Sequence, residues 1–222
     1  MSRRPLSHQL VAEFLGTLLL LVAVVGSGIM AERLAGGNMA MALLANALAT
    51  GAALVVLITI FGPLSGAHFN PCVSLYAALR GEMAWGTAGV YAATQFVAAA
   101  CGVWLTHAMF AMPVLEISSH LRDGPAQWLA EVLATFGLLL TIAGALRFKP
   151  DSTPMLVGLY ITGAYWFTAS TSFANPAVTV ARMLSDSFSG IAPHSVPGFI
   201  AAQLVGTLLA ARLLPWLFKP PA

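Results

Sequence analysis

Charge is scarce in this chain: ten Lys and Arg and eight Asp and Glu make up 8% of 222 residues, against about 25% in ordinary soluble domains. With 59% hydrophobic residues the chain has too little polar surface to face water, which excludes a soluble domain and leaves an integral membrane protein. The net charge of +2 and the absence of any basic run exclude nucleic acid as a partner. Cysteine is nearly missing. Cys72 and Cys101 both lie in apolar sequence, so neither a disulfide framework nor a metal cluster is indicated. No nucleophile–base pair is present either, so the sequence points to no enzyme, no cofactor and no metal. Apolar sequence is what the chain has in quantity. Its length suits one compact bundle of about six spans of about 20 residues each, in contact with lipid, and leaves no room for a soluble catalytic domain.

Met1 to His8 is a short polar head with Arg3 and Arg4. The apolar run that follows, about 9–30, exceeds the roughly 7–15 residues of a secretory signal and reads as a first span. Glu32-Arg33 and Gly36-Gly37-Asn38 make a loop, and a second span covers about 39–61, broken by Gly62-Pro63. A half-length helix follows over 70–79, then a third span at about 85–110. The connection 113–125, with Glu116, His120, Arg122 and Asp123, divides the chain. Beyond it come spans at about 128–146 and 155–170, a second half-helix at 175–184 and a last span at 199–218. With six spans, Arg3, Arg4, Arg80, Arg147, Lys149, Arg212 and Lys219 share one side, and Arg33, Arg122 and Arg182 the other. Seven against three places both termini in the cytoplasm.

The half-helices carry the most specific signal. Ser65-Gly66-Ala67-His68-Phe69-Asn70-Pro71-Cys72-Val73-Ser74 has an echo in Ser172-Phe173-Ala174-Asn175-Pro176-Ala177-Val178-Thr179. Asn is a favoured N-cap, and Pro suits the first helical position, where its missing N–H is no loss. One such pair would also fit an ordinary turn; two in matching apolar contexts read as helix starts inside the membrane. Such a start leaves free N–H donors and a partial positive charge, tolerated only beside protein or a water-filled cavity. Other stretches repeat too. Ala12-Glu13-Phe14-Leu15-Gly16-Thr17 matches Ala130-Glu131-Val132-Leu133-Ala134-Thr135, and Ala93-Thr94-Gln95 matches Ala201-Ala202-Gln203. Each half is therefore span, span, half-helix, span. Three full spans per copy require the second to enter from the opposite side, giving an inverted repeat (about 8–112 and 126–219) with its centre at the midplane.

These motifs together resemble the major intrinsic protein family of aquaporins and glycerol facilitators, and the resemblance covers essentially the whole chain, 1–222. It implies an all-α fold of six transmembrane helices plus two half-helices, assembled as a homotetramer whose subunits each hold a pore for water or small neutral solutes. In that reading Asn70 and Asn175 cap facing half-helices, Glu13 and Glu131 accept hydrogen bonds from the loops near the Asn-Pro turns, and His68 lines the cytoplasmic approach. A packing role bonded to backbone is the other reading of His68. Cys72 stands where the family usually has Ala, as a packed small residue or a thiol able to touch arsenic.

The departure with most consequence is Val178, where the family almost always has Arg. Family spacing assigns the other walls of the constriction to Thr50, Gly163 and Ser172, twenty, twelve and three residues before their Asn. Four small, uncharged walls predict a filter wider than usual. An arginine-less filter resembles a bacterial branch associated with arsenic resistance, which implies a multi-pass protein of the bacterial inner (cell) membrane. Glycerol, urea, arsenite and methylated arsenicals all suit such a slot. Arg182, one turn (about 6 Å) beyond Val178 on the same helix face, is a vestibule candidate; reaching water or pairing with Asp186 are its alternatives. An ion-coupled transporter also uses inverted repeats, but its coupling carboxylates would sit at the midplane, whereas Glu13 and Glu131 lie near span ends.

Overall fold

The computed structural model describes residues 4–219; Arg3, one of the basic residues counted above, lies outside them. Among the described residues eight α-helices run in the order α1 (Leu6–Leu34), α2 (Met39–Ser65), α3 (Pro71–Leu79), α4 (Trp85–Met109), α5 (Pro125–Phe148), α6 (Thr153–Phe167), α7 (Pro176–Arg182) and α8 (Val196–Leu217). Among the described residues, five helices are long and apolar enough to cross a membrane: α1, α2, α4, α5 and α8. The sixth, α6, has only 15 residues, about 22 Å at 1.5 Å per residue, and is preceded by a 3-10 turn over Pro150–Ser152. The outer faces of the long helices expose Leu, Val, Trp and Met side chains, as lipid contact requires.

Glu32 and Arg33, expected in a loop, belong to α1, which runs on to Leu34, and the ends of α2 and α6 differ from expectation too. Gly62-Pro63 does not end α2, which continues through Pro63 to Ser65 and stops at Gly66, in the left-handed region at φ 89°. Inside a membrane, neighbouring groups can absorb the hydrogen bond that proline removes. Glycine is needed at the stop because only it takes that φ without strain. Helix α6 ends at Phe167, short of Ser170, because Thr168 turns extended (φ −111°, ψ 136°) with its hydroxyl bonded to the Ala164 carbonyl.

Helices α2 and α6 cross closely through two glycines. A methyl group at Gly158 would stand 2.6 Å from the Gly51 carbonyl oxygen, so both positions need a residue without Cβ. Small residues let membrane helices approach in this way. The crossing brings Thr50 against Tyr165, their hydroxyls 3.2 Å apart. The connection 113–124 folds over the segment that leaves α7. Ser118 N–H donates to Met183 O (2.8 Å) and Ala192 N–H to His120 O (2.7 Å). The N–H and hydroxyl of Ser119 donate to Asp186 (2.8 and 3.0 Å), holding that exposed carboxyl below its usual range.

Candidate functional site

Each Asn-Pro turn is built in the way its residue types require. Asn70 Oδ1 accepts from Cys72 N–H (2.9 Å), and Asn175 Oδ1 from Ala177 N–H (2.9 Å) and Val178 N–H (3.2 Å), while Pro71 and Pro176 open the helices. The side-chain amides then cross over. Asn70 Nδ2 donates to Ala174 O (2.7 Å) and Asn175 Nδ2 to Phe69 O (2.8 Å). Each loop thus holds the cap of the other. An amide has two N–H donors, and with one committed the second is left for the cavity that both Asn residues line.

The loops before the caps are strained and need bracing. Ala67, Phe69, Ser172 and Ala174 have φ between 48° and 53°, a region costing of order 1–3 kcal/mol each for residues with a Cβ. The bracing comes from two fully buried carboxylates. Glu13 accepts from the Ser65 hydroxyl (2.6 Å), His68 N–H (2.9 Å), Phe69 N–H (2.8 Å) and Gln95 Nε2 (2.8 Å). Glu131 does the same with the Ser170 hydroxyl (2.6 Å), Phe173 N–H (2.9 Å), Ala174 N–H (2.8 Å) and Gln203 Nε2 (2.6 Å). Four donors satisfy each carboxylate, which is what makes its burial tolerable. The Gln95 and Gln203 echo seen in the sequence is explained here, since each glutamine also reaches a half-helix hydroxyl, Ser74 at 3.3 Å and Thr179 at 2.8 Å.

A cavity of about 910 Å³ extends into the bundle as far as Arg182. One end is ringed by two basic and two acidic residues, Arg80, Arg147, Glu82 and Asp151. His68 lines the way in, with Nδ1 3.0 Å from the Ser74 hydroxyl and its ring edge-on to Tyr91 at 5.5 Å. Asn70 and Asn175 follow, and beyond them Thr50, Ser172 and Val178 stand on the wall. The Ser172 hydroxyl is buried without a hydrogen-bond partner, sealed behind the wall that its residue helps to form. Cys72 is buried but does not reach the cavity, which favours its packing role.

Gly163 is not on that wall, and this corrects the assignment by spacing. The cavity-facing stripe of α6 is Val157, Ile161 and Tyr165, four residues apart. Gly163 sits two positions from Ile161 and Tyr165, about 200° round the helix from each; the direction in which its side chain would point meets Phe167 at 3.5 Å. Tyr165 takes the place given to Gly163, with its hydroxyl on Thr50. The expectation of four small walls, none aromatic, is overturned with it.

Arg182, the vestibule candidate, does not pair with Asp186, which is held by Ser119. It is 2% exposed, lines the cavity, donates through Nε to the Ser189 carbonyl, and lays its guanidinium 3.4 Å from the Phe173 ring centroid. Tyr165, Phe173 and Arg122 escaped the sequence reading. Only the i, i+4 apolar stripe of α6 could have signalled Tyr165.

The family model "Major intrinsic protein" matches residues 1–172. The aquaglyceroporin AqpS of Rhizobium meliloti (strain 1021) is 55% identical over 215 residues, spanning 97% of this chain and 92% of that protein. A glycerol uptake facilitator protein of Streptococcus pneumoniae (strain ATCC BAA-255 / R6) is 27% identical over 96% of this chain and 98% of its own length. The X-ray structure of the aquaglyceroporin from Plasmodium falciparum has the same fold, with a TM-score of 0.74, 21% identity, and coverage of 96% of this chain and 99% of that one. The inverted Asn-Pro turns, the carboxylates bracing them and these matches have one reading: the chain belongs to the major intrinsic protein family, and is a membrane channel and not an enzyme.

Proposed function

We propose that this protein is a passive channel for small uncharged solutes, passing glycerol-like polyols, trivalent metalloid hydroxides such as arsenite, and water. One observation carries the reading. A continuous cavity passes two asparagine amides that each keep one N–H donor, between the N-termini of two facing half-helices. Positive helix ends at the pore centre disfavour cations and a proton wire, while the donors still serve a neutral oxygen. The likeness to AqpS and to a glycerol uptake facilitator supports polyols. The small side chains of Val178 and Ser172 on the wall, in place of bulkier ones, support a hydroxide of arsenic, which offers three O–H groups as glycerol does.

An ion-coupled transporter is the second reading. It needs a carboxylate able to exchange its partner for an ion during transport. Glu13 and Glu131 are each fully buried and hold four donors that shape the pore loops, so releasing either would dismantle the site. We place the chain in a bacterial inner membrane as a homotetramer, both termini cytoplasmic, on the family resemblance and the basic residues round one mouth. The functional test is stopped-flow swelling of proteoliposomes against water, glycerol, urea and arsenite. Downhill flux that persists after collapse of proton and sodium gradients is expected; flux that stops with the gradients would give the coupled reading instead.

A further inference from the structure

Two guanidinium groups meet on one aromatic ring at the end of the cavity away from Arg80 and Arg147. The Cζ of Arg182 is 3.4 Å from the Phe173 centroid and that of Arg122 is 5.2 Å from it. Among the described residues neither is in an ion pair; the pairs there are Arg80–Glu82, His107–Glu116 and His194–Asp123. Arg122 commits its donors to loop carbonyls, Nε to Gly190 at 2.8 Å and Nη2 to Phe188 at 3.3 Å. Arg182 differs. Its one acceptor is the Ser189 carbonyl, on Nε. Among the described residues its terminal nitrogens have no acceptor, and they are not sealed from the cavity that the residue lines. A buried guanidinium without a carboxylate is costly, and one with open donors on a solute path is suited to the oxygens of whatever passes.

Where the charge sits follows from helix geometry. Side chains on an α-helix lean toward its N-terminus, and long ones cover the preceding turn. Helix α7 starts at Asn175 and runs away from the pore centre, so Arg182 leans back past Val178 toward the loop before the cap. Its stack on Phe173 fits that direction. Phe173 directly follows Ser172, whose hydroxyl is unpartnered on the wall. A residue one turn farther out therefore carries its positive group back toward the level of Val178 and Ser172. Phe173 is what permits this, because the equivalent residue of the first loop is His68, whose ring offers a poorer seat for a cation.

We propose that Arg182 is the specificity-determining cation of this pore, its terminal N–H groups receiving solute hydroxyls and its charge turning cations away, with Phe173 and the Ser189 carbonyl holding it in place. This rests on the channel reading above. Val178 then widens the slot without leaving it uncharged, so the pore is selective by a displaced arginine.

The test uses the full chain in proteoliposomes, with sodium leak and the glycerol-to-erythritol flux ratio read side by side. Arg182→Ala is expected to raise sodium leak about tenfold to a hundredfold, the scale for a unit charge removed at about 6 Å in an effective dielectric of about 20, and to lower the flux ratio. Adding Val178→Arg to Arg182→Ala is expected to restore both. Arg182→Lys is expected to keep sodium out but loosen the flux ratio, because an ammonium keeps the charge and loses the planar fork. A folded Arg182→Ala protein with wild-type leak and flux ratio would overturn the proposal, leaving Arg182 as a brace for Ser189. Should the alanine variant not fold, an unchanged flux ratio in Arg182→Lys overturns the donor role. Wild-type vesicles that pass no neutral solute would instead sink the channel reading, an outcome distinct from an indifferent Arg182.

Discussion

The two pore loops share a skeleton and differ in what they attach to it. In both, a buried Glu takes a serine hydroxyl, two successive backbone N–H groups and a glutamine amide, and an Asn caps a half-helix while bonding the other loop. Even the backbone agrees, with φ of 50° and 49° at Ala67 and Phe69 against 53° and 48° at Ser172 and Ala174. The attachments part company at equivalent places. His68 meets Tyr91 edge-on in the first loop, Phe173 meets Phe199 in the second, and Ala77 of α3 corresponds to Arg182 of α7. One mouth has a polar ring pair and the other an aromatic pair carrying a cation. Symmetry builds the two loops, and the departures from it give their surroundings different chemistry.

The first way to break the comparison is to attack the shared part. Glu131→Gln would leave one oxygen for donors that now fill two, and turn an N–H₂ group toward other donors. Hydrogen bonds to a buried charge are each worth about 1.5–3 kcal/mol, so a loss of roughly 3 kcal/mol or more is expected, read as a fall in melting temperature and in folded yield from detergent. Glu13→Gln should cost a similar amount. If one variant melts like wild type while the other collapses, the skeleton is symmetric in geometry alone.

The caps come next. Asn175→Asp keeps the cap acceptor, loses the donor to Phe69 O (2.8 Å) and sets a carboxylate where two helix N-termini now meet. Sodium leak should rise by at least about tenfold, equivalent to about 1.4 kcal/mol off the barrier, and rise further with pH as the new acid ionises. Asn70→Asp should behave alike. A leak from only one of them would show that the cation barrier is not shared between the half-helices.

Val178→Arg makes the two loops differ where they now agree, since Val73 holds the equivalent place in the first, and it has a smaller effect. It fills space on the wall that Thr50, Tyr165 and Arg182 also line, and sets a second guanidinium on the same half-helix as Arg182. Solutes one carbon unit larger than glycerol should lose about tenfold in flux, the low end of what one methylene is worth in a fitted pocket, while water is least affected. The change should be made with and without Arg182→Ala, since the two cations repel. Unchanged flux of the largest permeant in both backgrounds would remove Val178 from the filter.

Much of this was legible in the chain, and the parts that were not share a cause. Asn-Pro, Glu13 and Glu131, and Gln95 and Gln203 were visible because each occurs twice, and their hydrogen bonds are between repeated partners. Gly163 was misplaced because counting back twelve residues from Asn175 assumes a fixed path between α6 and α7, and here Thr168 ends the helix early with its hydroxyl on Ala164 O. Helical phase was the safer guide, since Val157, Ile161 and Tyr165 fall on one stripe whatever the loop does. Arg182 was read as facing the pore from the same phase argument. Its seat on Phe173 was not legible, because that contact depends on where the long side chain bends.

The finest test sets Tyr165 against Gly163 on α6. Gly163→Ala adds a methyl group that meets Phe167 at 3.5 Å, an ordinary contact, at a position without positive φ. It should stabilise the protein by about 0.4–1 kcal/mol by restricting the unfolded chain, and leave every solute flux unchanged. Tyr165→Phe removes only the hydroxyl that stands 3.2 Å from Thr50, costing about 1 kcal/mol and freeing the Thr50 hydroxyl toward the cavity. Glycerol flux should shift modestly, by less than the change at Val178, and Tyr165→Ala should admit larger polyols by removing the ring. If Gly163→Ala alters flux and Tyr165→Phe does not, the pore-facing stripe of α6 is the one that spacing gives and not the one that runs through Tyr165.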